Sequence, residues 1–261
     1  MNFRFLGCGN AQISELGHSA CVVEFDTDRR LLIDCGFGVS QQYRKQYQCL
    51  PDAIFITHVH LDHIGGLEQL MFSNWFGEKK LIKLFVPVTI ISLLHQRIAS
   101  LDNQLAEGGT NFWEAFQLIP VSDSFWLHGF KFQVFQNRHH APAFCFGLSL
   151  PGRFLFTGDT KPIPETIIHH ASQGEIIFHD LSLQKQPSHS YLDEVMTYPE
   201  AVLKRIWFYH LDSAESIAKL RKMGLNCVAP NQLFNLYGND VHFWLQSNVS
   251  SEQILREPCT D

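Results

Sequence analysis

The sequence predicts a layered α/β fold with substantial antiparallel pairing rather than an alternating all-parallel sheet. Short β-branched or aromatic runs recur between turn signals, helical patterns separate some of them, and hydrophobic residues make up 45% of the 261. In chain order, strands are expected at 3–6, 21–25 and 30–33, each an apolar cluster between turn-forming residues. A helix follows at 39–48, where apolar residues return at three or four positions. By the same two signals, a strand at 53–56 leads to a helix at 66–75, and a strand at 81–86 to a helix at 89–100. The stretch 102–130 is the least regular, and its Phe and Trp content reads as a packed loop near a site. Beyond it lie strands at 131–135, 144–150, 154–156, 175–178 and 206–209, and a last helix at 213–223.

Composition excludes several classes. Lys and Arg number 20 against 26 Asp and Glu, a net charge of −6 that lacks the basic balance of a protein gripping nucleic acid through its phosphates. The 7 Cys, odd in number and irregular in spacing, argue against a disulfide framework and for a reducing compartment. No apolar run is long enough to span a membrane, and the opening residues make too broken a run for a signal peptide, so a cytoplasmic protein is expected. Without a repeat, a low-complexity tract or a long linker, one domain over 1–261 is the simplest organisation.

The 14 His are the unusual feature. After the strand-like 53–56 comes Thr57-His58-Val59-His60-Leu61-Asp62-His63-Ile64-Gly65-Gly66. Alternation in an extended segment puts His58 and His60 on one side, and a turn into the next helix aims Asp62 and His63 at a second point nearby. Imidazoles with a carboxylate suit Zn²⁺, and also Mn²⁺ or Fe²⁺, whereas Ca²⁺ or Mg²⁺ would ask for oxygen ligands. A solvated loop would show this order by accident roughly twice in a thousand such chains, so a metal site is the better reading.

His58-x-His60-x-Asp62-His63 resembles the signature of the metallo-β-lactamase superfamily. The resemblance implies an αββα sandwich, two mixed β-sheets flanked by helices, with a two-metal site at one edge. It also implies a third His, a bridging Asp and a last His, each just after a later strand. His139 or His140, Asp159 and His210 fill these places. His139-His140-Ala141-Pro142-Ala143 and Gly158-Asp159-Thr160 resemble elements of ribonuclease Z, and that alignment makes His139 the ligand and His140 its neighbour. His179-Asp180 and His189-Ser190 resemble the same family's His-Glu and His-Ser/Thr pair, with Asp in place of Glu. The Pro-Gly-His-Thr element of lactonases and glyoxalase II-like thioesterases does not match Asn137-Arg138-His139-His140.

On this resemblance His58, His60 and His139 serve a first metal, Asp62, His63 and His210 a second, and Asp159 is shared. Two divalent ions about 3.5–4 Å apart hold a bridging hydroxide at neutral pH and neutralise a phosphoryl transition state. A leaving alkoxide also needs a proton. His189, kept protonated by Asp180, is the expected general acid, and the bland alternative is a surface His before a capped helix. Asp34, at the end of its strand, is expected to orient a ligand from behind, with a plain turn residue as the alternative. His18, His95, His128, His169, His170 and His242 match nothing and read as satisfied surface or core residues.

Ribonuclease Z inserts a long arm that grips tRNA between its third His and its bridging Asp. Here the residues from 140 to 158, filled by a strand-turn-strand, leave no such arm, so tRNA is an unlikely partner. The expected substrate is a small phosphodiester, first of all a cyclic nucleotide. Phe72, Trp75, Phe76, Trp113, Phe116, Phe125 and Trp126 offer a possible stacking surface for a base, with plain core packing as the alternative. Other readings are a different two-metal hydrolase, such as a ribonuclease Z-like nuclease or a lactonase, and a catalytically silent metal-binding sensor. A homodimer is implied by resemblance alone.

Overall fold

Apolar strands pair into two sheets in the computed structural model of the chain, which describes residues 1–12, 15–100, 111–139 and 144–236. The strands are β1 (Asn2–Gly7), β2 (Ala20–Glu24), β3 (Arg30–Ile33), β4 (Ala53–Phe55), β5 (Ile82–Pro87) and β6 (Phe116–Val121). They continue with β7 (Ser124–Leu127), β8 (Phe130–Gln136), β9 (Phe146–Leu150), β10 (Phe154–Phe156), β11 (Ile176–Asp180), β12 (Ile206–Tyr209) and β13 (Leu233–Asn235). One sheet has 7 strands in the order β13-β1-β2-β3-β4-β5-β6, and the other has 6 in the order β12-β11-β10-β9-β8-β7. Both are mixed. In the first, β13 to β3 pair antiparallel and β3 to β6 parallel; in the second, β12 to β10 pair parallel and β10 to β7 antiparallel.

The parallel segments need crossovers, and helices supply most of them. These are α1 (Val39–Tyr47), α2 (Leu61–Ile64), α3 (Leu67–Trp75), α4 (Ile91–Arg97), α5 (Phe112–Ala115), α6 (Pro164–His170), α7 (Leu192–Val195), α8 (Glu200–Leu203) and α9 (Ala214–Lys222). Helix α1 buries Val39 and Tyr43, one turn apart, and α9 buries Ile217 and Leu220 behind a Ser213 cap that accepts from the Ser216 N–H. No helix among the described residues is long and apolar enough to cross a membrane. Six cysteines among them, Cys8, Cys21, Cys35, Cys49, Cys145 and Cys227, are unpaired.

Phenylalanines bind the two sheets together. Phe3 of β1 stacks on Phe178 of β11 at 4.4 Å and meets Phe154 of β10 edge-on at 4.8 Å. At the other end Phe85 of β5 stacks on Phe125 of β7 at 4.4 Å, and Phe125 in turn stacks on Phe132 of β8 at 5.1 Å. Emptying one such site costs about 3–5 kcal/mol for Phe→Ala, so these rings hold the sheets in place against each other. The edge where the parallel strands end is where short loops carry polar side chains.

Three expectations need correction. The described part of 102–130 is not a packed loop but α5, β6 and β7, which carry the chain from one sheet to the other. Pro120 and the half-exposed pattern of β6 hid it, because Pro is tolerated on an edge strand, and β6 is one. Residues 101–110 lie outside the described set. The proposed stacking surface is also dispersed: Phe116 and Phe125 are buried core, while Phe76 and Trp126 are exposed. Strand β13 and helices α6, α7 and α8 were not expected from the sequence.

Candidate metal centre

The polar cluster is built from strand ends. His58, His60, Asp62 and His63 follow β4, Asp34 follows β3, His139 follows β8, and Asp159, Asp180 and His210 stand after or at the end of β10, β11 and β12. Register brings them level: Phe156 pairs with Phe178 and Asp180 with Tyr209, so the second sheet presents Asp159, Asp180 and His210 side by side. From the first sheet, Gly36 and Gly66 allow the turn after β3 to press on the His motif. A Cβ at Gly36 would sit 1.9 Å from the Asp62 carbonyl oxygen.

Two groups share Asp159, each with its ligand atoms within 4.8 Å of one another: His58, His60, His139 and Asp159, and Asp62, His63, Asp159 and His210; a third joins Asp180, His189 and His210. In the first, His58 Nε2 lies 3.0 Å and His139 Nε2 3.4 Å from His60 Nδ1. Asp159 Oδ2 is common to both. It stands 3.7 Å from His58 Nε2, 4.0 Å from His139 Nε2, 3.3 Å from His63 Nε2 and 3.4 Å from His210 Nε2. Asp62 Oδ2 closes the second group at 3.3 Å from His63 Nε2 and 3.7 Å from His210 Nε2. Buried polar atoms without a hydrogen-bonding partner are costly, yet His63 Nε2, Asp159 Oδ1 and His210 Nε2 are such atoms. Nitrogen and carboxylate donors orphaned around one centre fit divalent metal ions, and the donor set is one that zinc, manganese or iron accept.

Other groups fix the rings from behind. Asp34 Oδ2 lies 2.7 Å from His63 Nδ1 and accepts the Thr57 hydroxyl at 2.7 Å, while Oδ1 accepts the Thr57 N–H at 2.8 Å. Asp34 holds this pose at φ 61, a left-handed backbone that Asp adopts more readily than most residues. The Thr57 hydroxyl also meets His58 Nδ1 at 3.0 Å, and His139 Nδ1 donates to the Ser188 carbonyl at 2.8 Å. Thr57 had a signal in its place at the head of the motif. The Ser188 carbonyl had none, because a backbone group carries no residue type.

His189 and Asp180 meet as expected, with Nδ1 2.9 Å from Oδ2, and the Thr160 N–H donates to that same oxygen at 2.8 Å. Asp180 Oδ1 reaches His210 Nδ1 at 3.4 Å, so one buried carboxylate serves both rings. Burial disfavours a charged His189, but the Asp180 carboxylate outweighs it and holds the ring above its ordinary range. Burial lowers His58, His60 and His139, with His60 at about 4. Burial opposes the charge on His63 and His210 too, yet Asp159 and its neighbouring carboxylates raise both, His210 to about 10.

His140 and His242 lie outside the described residues. His18 is a buried core residue, and after burial the charges that act on it most are those of Asp62, His63 and His210. His95 stacks on Trp113 and His170 bonds Gln133, as ordinary packing residues do.

Two facing mixed sheets with a His/Asp cluster at their shared edge define a metal-dependent hydrolase of the metallo-β-lactamase fold. A solved structure of a new diphosphatase from the PhnP family superposes with a TM-score of 0.71 at 18% identity, covering 93% of this chain and 99% of its own. The short form of human tRNase Z gives a TM-score of 0.62 at 21% identity, covering 90% of this chain and 99% of its own. The sequence model of the Anti-Pycsar protein Apyc1 family matches residues 1–234, and the chain belongs to that family. The Anti-Pycsar protein Apyc1 of Paenibacillus harenae is 28% identical over 218 residues, which cover 80% of this chain and 89% of the relative.

Proposed function

We propose that the chain is a phosphodiesterase that opens cyclic nucleotides, with His58, His60 and His139 on one metal ion, Asp62, His63 and His210 on another, and Asp159 bridging them. The observation that carries this reading is the single oxygen, Asp159 Oδ2, lying within 4.0 Å of nitrogens from both groups. Two divalent ions held there, zinc first among the candidates, would supply a hydroxide at neutral pH and neutralise the charge that develops on a phosphoryl group. The protein supplies the rest. Asp34 and the Ser188 carbonyl keep the Nε2 atoms of His63 and His139 aimed inward, and Asp180 keeps a proton on His189 for the departing alkoxide. With no tRNA-gripping arm in the stretch between His139 and Asp159, a small substrate is favoured over a folded RNA.

The same reading places the chain in the cytoplasm as a single domain that pairs into a homodimer. Its free cysteines suit a reducing compartment, and strands from both ends of the described chain share one sheet. The pairing rests on the resemblance alone. Light scattering should report about twice the 29.9 kDa of one chain; a mass near that of one chain would reject the dimer. The function is tested by comparing cyclic nucleotides, a tRNA precursor and an acyl lactone at equal metal loading. Preference for the cyclic nucleotides is expected, and faster cleavage of the precursor or of the lactone would overturn the reading.

A further inference from the structure

One side of the second group, at His210, opens into a pocket whose other lining residues take no part in holding metal. Asn10 and Gln12 line it from one segment, residues from 181–186 of the loop after β11, Gln184 and Gln186 among them, from another, and His210 with Asp212 from a third. Its volume of about 20 Å³ admits one water-sized group. A nucleobase or a second phosphate does not fit. The chemistry of the walls points the same way: carboxamides both donate and accept hydrogen bonds, which suits a hydroxyl group. The one carboxylate on the wall is partly engaged, since Asp212 Oδ1 accepts from the Ser213 and Ser216 hydroxyls.

The pocket lies on the leaving-group side. The His210 ring that lines it stacks on His189 with centroids 4.9 Å apart and planes 20° apart, and the loop 182–186 is the one that joins Asp180 to His189. When a 3′,5′-cyclic ribonucleotide is opened there, a bond forms from hydroxide to phosphorus and the P–O3′ bond breaks. Its electron pair stays on O3′, which takes the proton from His189. The carbon next to the one bearing O3′ carries the 2′-hydroxyl. An O3′ set beside His189 therefore brings a hydroxyl to the neighbourhood of His210.

Resting on the cyclic-nucleotide reading above, we infer that this carboxamide-lined pocket is a subsite for the ribose 2′-hydroxyl, so that the chain selects ribonucleotides over 2′-deoxyribonucleotides. The test measures kcat/KM of the metal-loaded protein for 3′,5′-cyclic AMP and its 2′-deoxy analogue, with bis(p-nitrophenyl) phosphate as a sugarless ester. A preference for the ribose of about 10-fold is expected, the size of one neutral hydrogen bond. In N10A and Q184A the ribo-to-deoxy ratio should fall towards 1. Calorimetry gives a second measure: the product 5′-AMP should bind more tightly than 2′-deoxy-5′-AMP, and the gap should narrow in the same variants. Equal cleavage of both sugars by the unaltered protein, or a ratio that both variants leave intact, overturns the subsite while the cyclic-nucleotide reading stands. Cleavage of the nitrophenyl ester with neither nucleotide touched overturns both.

Discussion

The two halves of the centre are built from similar side chains and prepared in opposite ways. Around His58, His60 and His139 the only carboxylate in the group is Asp159, burial dominates, and it disfavours the charged form of all three rings. Around His63 and His210 stand Asp62, Asp159, Asp34 and Asp180, whose charge overcomes burial and favours the protonated form of both rings. A metal ion held by the first half would displace little proton, whereas one held by the second would have to expel protons. Buried carboxylates need a cation, and in the second half imidazolium rings fill that need until a metal does.

The sharpest way to break this contrast is to remove what the halves share. Asp159→Ala should lose most of both ions by elemental analysis and lower turnover by about 10³-fold or more, since both halves lose a donor. Asp62→Ala should instead cost the second ion alone. Removing the proposed acid comes next: His189→Ala should keep its metal and lose about 10²–10⁴-fold in turnover on alkyl esters. The loss should be far smaller on nitrophenyl esters, whose leaving groups need no proton; equal losses on the two would remove the acid role. A finer cut comes from Asp34→Ala, which frees His63 to rotate. It should weaken metal binding in the second half by about 10–100-fold and leave the first untouched.

The smallest effect concerns the metal-free chain and its stability to urea at varied pH. His60 falls from its ordinary 6.5 to about 4 on folding, so its contribution is present above 6.5 and is lost as the pH drops through about 4. His210 rises to about 10, so its contribution is full below 6.5 and is lost as the pH climbs through about 10. His60→Gln should flatten the acid limb and His210→Gln the alkaline limb. If either substitution changed the opposite limb, the assignment of the halves would be wrong.

The contrast also separates what the sequence made legible from what it did not. His58, His60, Asp62 and His63 lie within a single turn, so their residue types and spacing announced them. Asp34, Asp159, Asp180 and His210 each sit at or just beyond the end of a recognisable strand, and strand ends converge in this fold. The carboxamide pocket was not legible, because it is assembled from segments some two hundred residues apart that share no spacing. Strand β6 was hidden by its Pro120, and the shared use of Asp180 by His189 and His210 appears only once β11 and β12 are in register.

The most direct measurement is a calorimetric zinc titration of the metal-free chain at pH 7, repeated in buffers of different ionisation enthalpy. The expected result is two ions per chain, the first bound with almost no proton release and the second with release of about two protons, from His63 and His210. A single ion per chain, or two that release the same number of protons, would contradict a shared centre with two differently prepared halves.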